Sequence, residues 1–183
     1  MDLFKYTAHE LHEKLVNKEI TAVELTNAVY DRIAAVDEQV NAYVSLSKEE
    51  ALAKAAEVDA KIAAGEAIAP LAGIPVVFKD NINIYGQVTS CASKMLQGVE
   101  TVFDAHVTEE LRKEDAVFLG KANMAEFSIG NTTDNSFNGA VHNPWNLNCT
   151  TGGCATAAAV AAGEAIWALA SDTSGDLRQP AAY

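Results

Sequence analysis

Gly73-Ile74-Pro75-Val76-Val77-Phe78-Lys79-Asp80-Asn81 is the stretch on which the fold turns. Ile74 to Phe78 is a short apolar run suited to a buried strand, and the polar triplet Lys79-Asp80-Asn81 follows it at once. Downstream, Asp104 to Glu114 reads as a helix with Val107 and Leu111 facing inward. Ala116-Val117-Phe118-Leu119 reads as a second buried strand ended by Gly120. Ala155 to Ala162 reads as an alanine-rich helix, and Ile166 to Ala170 as a third strand. Strands alternating with helices predict an α/β sheet with helices packed over its faces. The polar region from Asn131 to Gly153 is long for a connection, and such loops are more often functional than idle.

Residues 1–70 read as helical, with clear start signals. Thr7-Ala8-His9-Glu10 is a capping-box pattern, in which hydroxyl and carboxylate satisfy otherwise orphaned amide protons, and Tyr6 and Leu11 fall at hydrophobic-staple positions. Thr21-Ala22-Val23-Glu24 repeats the box, and Leu25, Val29, Ile33 and Val36 form one apolar stripe. Ser47-Lys48-Glu49-Glu50 makes a third, followed by Ala51, Ala55, Val58 and Ile62 on one face and by Gly65 as a stop.

Chain length and composition bound the rest. At 183 residues one domain with one substantial core is expected, residues 1–70 being helical and 71–183 forming the α/β part. The 25 acidic and 13 basic residues leave a formal charge of −12, which repels phosphate backbones, so direct nucleic-acid binding is not expected. The amino terminus lacks a signal-peptide pattern, and the apolar stretch Ala155 to Ala170 is too short and too weakly apolar for a bilayer, so no membrane association is expected. Cys91, Cys149 and Cys154 are odd in number and lack CxxC spacing, which fits a reducing cytoplasm better than a disulfide framework or zinc site.

Three segments carry candidate chemistry. Lys79 stands at a strand end, where partial desolvation favours its neutral, basic form; the same pattern also fits a structural charge. Thr151-Gly152-Gly153-Cys154-Ala155-Thr156 runs into the alanine-rich helix and can present amide protons to an anion, or can be a turn feeding a tightly packed helix; it is not a P-loop. Ser171-Asp172-Thr173-Ser174-Gly175-Asp176-Leu177-Arg178 is a small polar turn able to aim a side chain and several amides at one point. Cys154 at a helix start is either a nucleophile or an inert buried thiol. His9, His12, His106 and His142 lack evident partners, and Trp145 and Trp167 read as core or edge packing.

Together these segments resemble the amidase-signature family. The matching run comprises Gly73-Ile74-Pro75-Val76, Lys79-Asp80-Asn81, Cys91-Ala92-Ser93-Lys94, Gly120 to Met124 with Glu126-Phe127, and Asn143-Pro144-Trp145. It ends with Ala157 to Gly163 and with Ser171-Asp172-Thr173 through Arg178-Gln179-Pro180-Ala181-Ala182. The resemblance implies a mixed sheet with helices on both faces and no cofactor or metal. Within the family the wording is most similar to the glutamine-hydrolysing A subunits of tRNA-dependent amidotransferases, which implies B and C subunits as partners.

The resemblance also implies a Ser–cis-Ser–Lys triad, in which a neutral lysine deprotonates a bridging serine and that serine activates a second one to attack an amide. Lys79 matches the lysine. The family's Gly-Gly-Ser-Ser-Gly-Gly-Ser run is two residues short here, so that Cys154 stands nearest the bridging serine, or Gly152 does if the gap is moved. Asp176 occupies the nucleophile position, in an oxyanion turn made by Thr173, Ser174 and Gly175. A carboxylate there is expected to favour the charged lysine and to abolish normal amidase chemistry. Family members are far longer, so the chain is expected to be a partial, truncated domain whose uncovered sheet edges invite self-association. Three readings follow: an inactive amidase-signature protein, a non-catalytic binding module, and a decayed gene product.

Overall fold

In the computed structural model, which describes residues 2–183, helices α1 (Ala8–Val16) and α2 (Ala22–Val40) each begin at a threonine. The Glu10 amide donates to Thr7 Oγ1 at 3.3 Å while the Glu10 carboxylate accepts from the Thr7 amide at 2.8 Å; Glu24 and Thr21 repeat the exchange at 3.0 and 2.9 Å. The third box does not form. Ser47 lies before α3 (Lys48–Ala64), but its amide donates to the Leu119 carbonyl at 2.9 Å, and its hydroxyl accepts from the Gln87 amide group at 2.9 Å. The Glu50 carboxylate also turns to Gln87, accepting from its amide group at 3.0 Å. Gly65 ends α3 at φ +78°, as the sequence predicts.

Strands β1 (Tyr43–Leu46), β2 (Pro75–Lys79), β3 (Val117–Ala122) and β6 (Trp167–Leu169) form a mixed sheet in the order β1-β3-β2-β6. β2 runs parallel to β3 and β6, and β1 is antiparallel to β3. Helix α4 (His106–Lys113) lies between β2 and β3, and α5 (Thr156–Ala161) precedes β6. A two-stranded pair, β4 (His142–Asn143) and β5 (Asn146–Thr150), occupies the long polar region, and α6 (Arg178–Ala182) follows β6.

Two of these features depart from the sequence reading. β1 sits inside the region read as purely helical. β3 does not end at Gly120 but runs through it, since a Cβ at that position, φ +149°, would lie 2.1 Å from the Ser45 carbonyl oxygen. Glycine is what lets β1 approach.

Side chains alternate across the sheet and pack on both faces. Val77, Val117 and Leu119 join α1, α2, α3 and α5 in the larger apolar cluster. Val76, Phe78 and Phe118 join Leu111 of α4 in the smaller one, where Phe78 and Phe118 meet edge to face at 4.8 Å. This two-sided packing makes β2 buried at every residue, Lys79 included, and so sets that lysine at the base of a closed site.

Candidate functional site

Because β2 and β6 are parallel and Phe78 pairs with Leu169, their carboxyl ends lie side by side. The chain leaving β6 therefore passes over Lys79, at the end of the sheet where open α/β folds place their ligands. Lys79 Nζ donates to the Ser171 carbonyl at 3.0 Å and to Asp176 Oδ2 at 2.5 Å, and neither the Lys79 nor the Asp176 side chain reaches solvent. The Ser171 hydroxyl accepts from the Asn81 amide group at 2.8 Å.

Asp172 shapes the turn that delivers Asp176. Its carboxylate accepts from the amides of Gly175 at 2.7 Å, Leu177 at 3.0 Å and Arg178 at 2.7 Å, and pairs with the Arg178 guanidinium at 3.1 Å. The Arg178 guanidinium and these amides hold the Asp172 carboxyl well below the usual carboxylate range. Sequence reasoning gives this residue no separate role; the acid followed by Gly175 and Arg178 is the signal that could have found it.

Asp176 itself is doubly held. Its Oδ1 accepts from the Thr173 amide at 3.1 Å while Oδ2 faces Lys79. Burial pushes its carboxyl up, but the Lys79 bond, the Thr173 amide and the lysine charge outweigh burial, and the pKa lies below the ordinary value. Of the oxyanion-turn residues, Thr173 is thus turned onto Asp176, the Gly175 amide onto Asp172, and the Ser174 side chain is exposed.

Neither candidate for the bridging position, Cys154 or Gly152, hydrogen-bonds to Lys79 among the described residues. Cys154 is buried, and its Sγ lies 3.0 Å from Thr156 Oγ1, with no hydrogen bond to Lys79 among the described residues. Burial pushes its thiol up, against the activated thiolate of a helix start. Gly152 has φ +101°, and a Cβ on it would fall 2.7 Å from Pro180 Cγ. A Cβ on Gly153 would fall 2.8 Å from Asp176 Cβ and from the Gly130 carbonyl oxygen. Neither glycine has room for a serine without movement of its surroundings.

The remaining candidates stay apart from this cluster. His9 pairs with Glu13 at 3.3 Å and His106 with Glu109 at 3.5 Å, both on exposed helix surface, and the exposed His142 contacts the Leu147 carbonyl at 2.9 Å. Trp145 is 73% exposed, not packed in the core or along an edge; with Trp167, Val160, Pro180 and Tyr183 it lines an apolar groove of about 600 Å³ next to β6. A polar cluster that sequence reading missed lies behind Lys79: Lys121, buried, meets Asp80 at 3.2 Å and Thr89 at 2.9 Å. No described helix is long and apolar enough to cross a membrane.

A family model described as Amidase matches residues 24–183. The chain is 51% identical over 184 residues to the A subunit of the glutamyl-tRNA(Gln) amidotransferase of Desulforamulus reducens, covering all of this chain and 38% of that one. Among solved structures, the corresponding glutamyl-tRNA(Gln) amidotransferase chain of Thermotoga maritima superposes with TM-score 0.80 at 35% identity, over 99% of this chain and 37% of that one. A peptide amidase from Stenotrophomonas maltophilia superposes with TM-score 0.89 at 34% identity, over 97% and 38%. The chain therefore spans well under half the length of the relatives it matches.

Proposed function

The chain belongs to the amidase family, and on that premise we propose that it is an amidase scaffold of the amidotransferase type in which amide hydrolysis is switched off by Asp176. The single observation that carries this is the 2.5 Å ion pair between Lys79 and Asp176. The family's chemistry needs an uncharged amine to take a proton and a hydroxyl to attack. Asp176 engages the amine with a carboxylate where the chemistry needs a hydroxyl, and a carboxylate attacking an amide would form an anhydride, a poor intermediate. Loss of the nucleophile from a serine-hydrolase triad lowers turnover about 10⁶-fold, on the order of 8 kcal/mol of barrier.

Ammonia release from glutamine tests the proposal, measured for the chain alone and with amidotransferase B and C subunits. No release above background is expected. Asp176→Ser is expected to remain far below family turnover, because Gly152 and Gly153 leave no space for the bridging serine. Turnover by the unmodified chain, or an acyl adduct trapped on any residue, would overturn the reading.

A second reading, a non-catalytic module that pairs with those subunits or with itself, is favoured by the exposed apolar groove beside β6. Co-purification with B and C subunits supports it; a monomer that ignores them removes it.

A further inference from the structure

Asp176 is held as proteins hold bound anions. One carboxylate oxygen takes the Lys79 ammonium at 2.5 Å, the other takes the Thr173 amide at 3.1 Å, and both side chains are closed off from water. The lysine and the turn that carries the amide also have holds of their own. The Ser171 carbonyl fixes the lysine at 3.0 Å, and Asp172 organises the turn through the amides of Gly175, Leu177 and Arg178. We propose that Lys79 and the Thr173 amide form a carboxylate-binding site, that Asp176 is its resident ligand and built-in inhibitor, and that a free carboxylate of formate size occupies the site once that side chain is cut back to Cβ.

The ligand class follows from the donors. An ammonium and an amide N–H directed at two different oxygens complement a planar anion with two acceptor atoms. The size limit follows from burial, since the Asp176 side chain is wholly closed off from solvent and its removal frees only its own room. Asp176→Ala removes one carbon and two oxygens, which are the heavy atoms of formate. In the intact chain the same contacts keep an incoming carboxamide away from Lys79. The inference rests on the placement of Asp176 used in the functional proposal, but not on absence of turnover: ammonia release reports on the latter, thermal melting on the site.

The test compares melting of the full chain, Asp176→Ala, Asp176→Asn and Lys79→Ala/Asp176→Ala in sodium formate and in sodium chloride at equal ionic strength. In chloride, Asp176→Ala is expected to melt about 10 °C below the unmodified chain. Formate is expected to restore at least half of that loss with a saturating dose curve, and acetate less. The unmodified chain, Asp176→Asn and the double variant are expected to respond to formate as to chloride. Equal responses of Asp176→Ala to both salts, or a formate effect that survives in the double variant, overturn the proposal. So does an Asp176→Ala protein that stays insoluble with formate present, because a refilled site must restore the fold.

Discussion

Both oxygens of Asp176 and all of the Lys79 ammonium are buried, so the energetics of this pair are those of desolvated charge. Removing one partner strands the other in a medium that solvates it poorly, and the cost is several times that of losing a surface ion pair. We expect Lys79→Met alone or Asp176→Leu alone to destabilise by roughly 3–5 kcal/mol, and the double substitution to recover most of that loss. Urea denaturation of the four proteins in a double-mutant cycle measures the coupling; two additive single effects would mean that the pair is not an energetic unit. Lys79 and Asp176 are separated by nearly a hundred residues in the chain, yet the resemblance alone is enough to anticipate that an acid faces this lysine. That Thr173 turns its amide onto the same acid is not legible in the sequence, because amide direction depends on the turn that Asp172 ties together.

Among the elements, the two threonine-capped helices follow local rules that operate within one turn of the chain. Thr21→Ala is expected to cost about 1 kcal/mol, since the Glu24 amide loses its partner. Ser47→Ala is expected to leave α3 almost unchanged by the same denaturation measurement, because its hydroxyl caps nothing. The strands obey different logic. Gly120→Ala is expected to cost roughly 2–4 kcal/mol, since the added methyl meets the Ser45 carbonyl at a backbone angle disfavoured by side chains. A thermal melt indistinguishable from that of the unmodified chain would show that β1 can move aside. β1 escapes a sequence reading because four residues between two helices carry too little periodicity, and its only signature, a glycine in the middle of β3, reads equally as a stop.

At the scale of the whole molecule, stability is coupled to pH through Glu164. This side chain is fully buried, both carboxylate oxygens lack a hydrogen-bond partner among the described residues, and burial, with the Asp37 charge adding and Arg32 opposing, pushes its pKa to about 8. The folded protein therefore keeps the proton that the unfolded chain gives up above the ordinary glutamate value. Stability falls as pH rises from about 4.5 to about 8, by at most about 1.4 kcal/mol per pH unit from this group. Glu164→Gln is expected to flatten that slope and to raise the melting temperature at pH 7 to 8; an unchanged pH profile would refute the assignment. Read alone, the sequence determined the helix starts, the buried β2 strand, the α/β class and the family, because caps, apolar runs and ordered motifs are short-range or linear patterns. Only the tertiary structure decided that Thr173 turns its amide onto Asp176, that Cys154 points to Thr156 instead of the lysine, and that Glu164 is entombed. Each of these depends on how the mixed sheet and the turns around it place and bury the groups, and distance and burial, not residue type alone, set hydrogen bonding and charge.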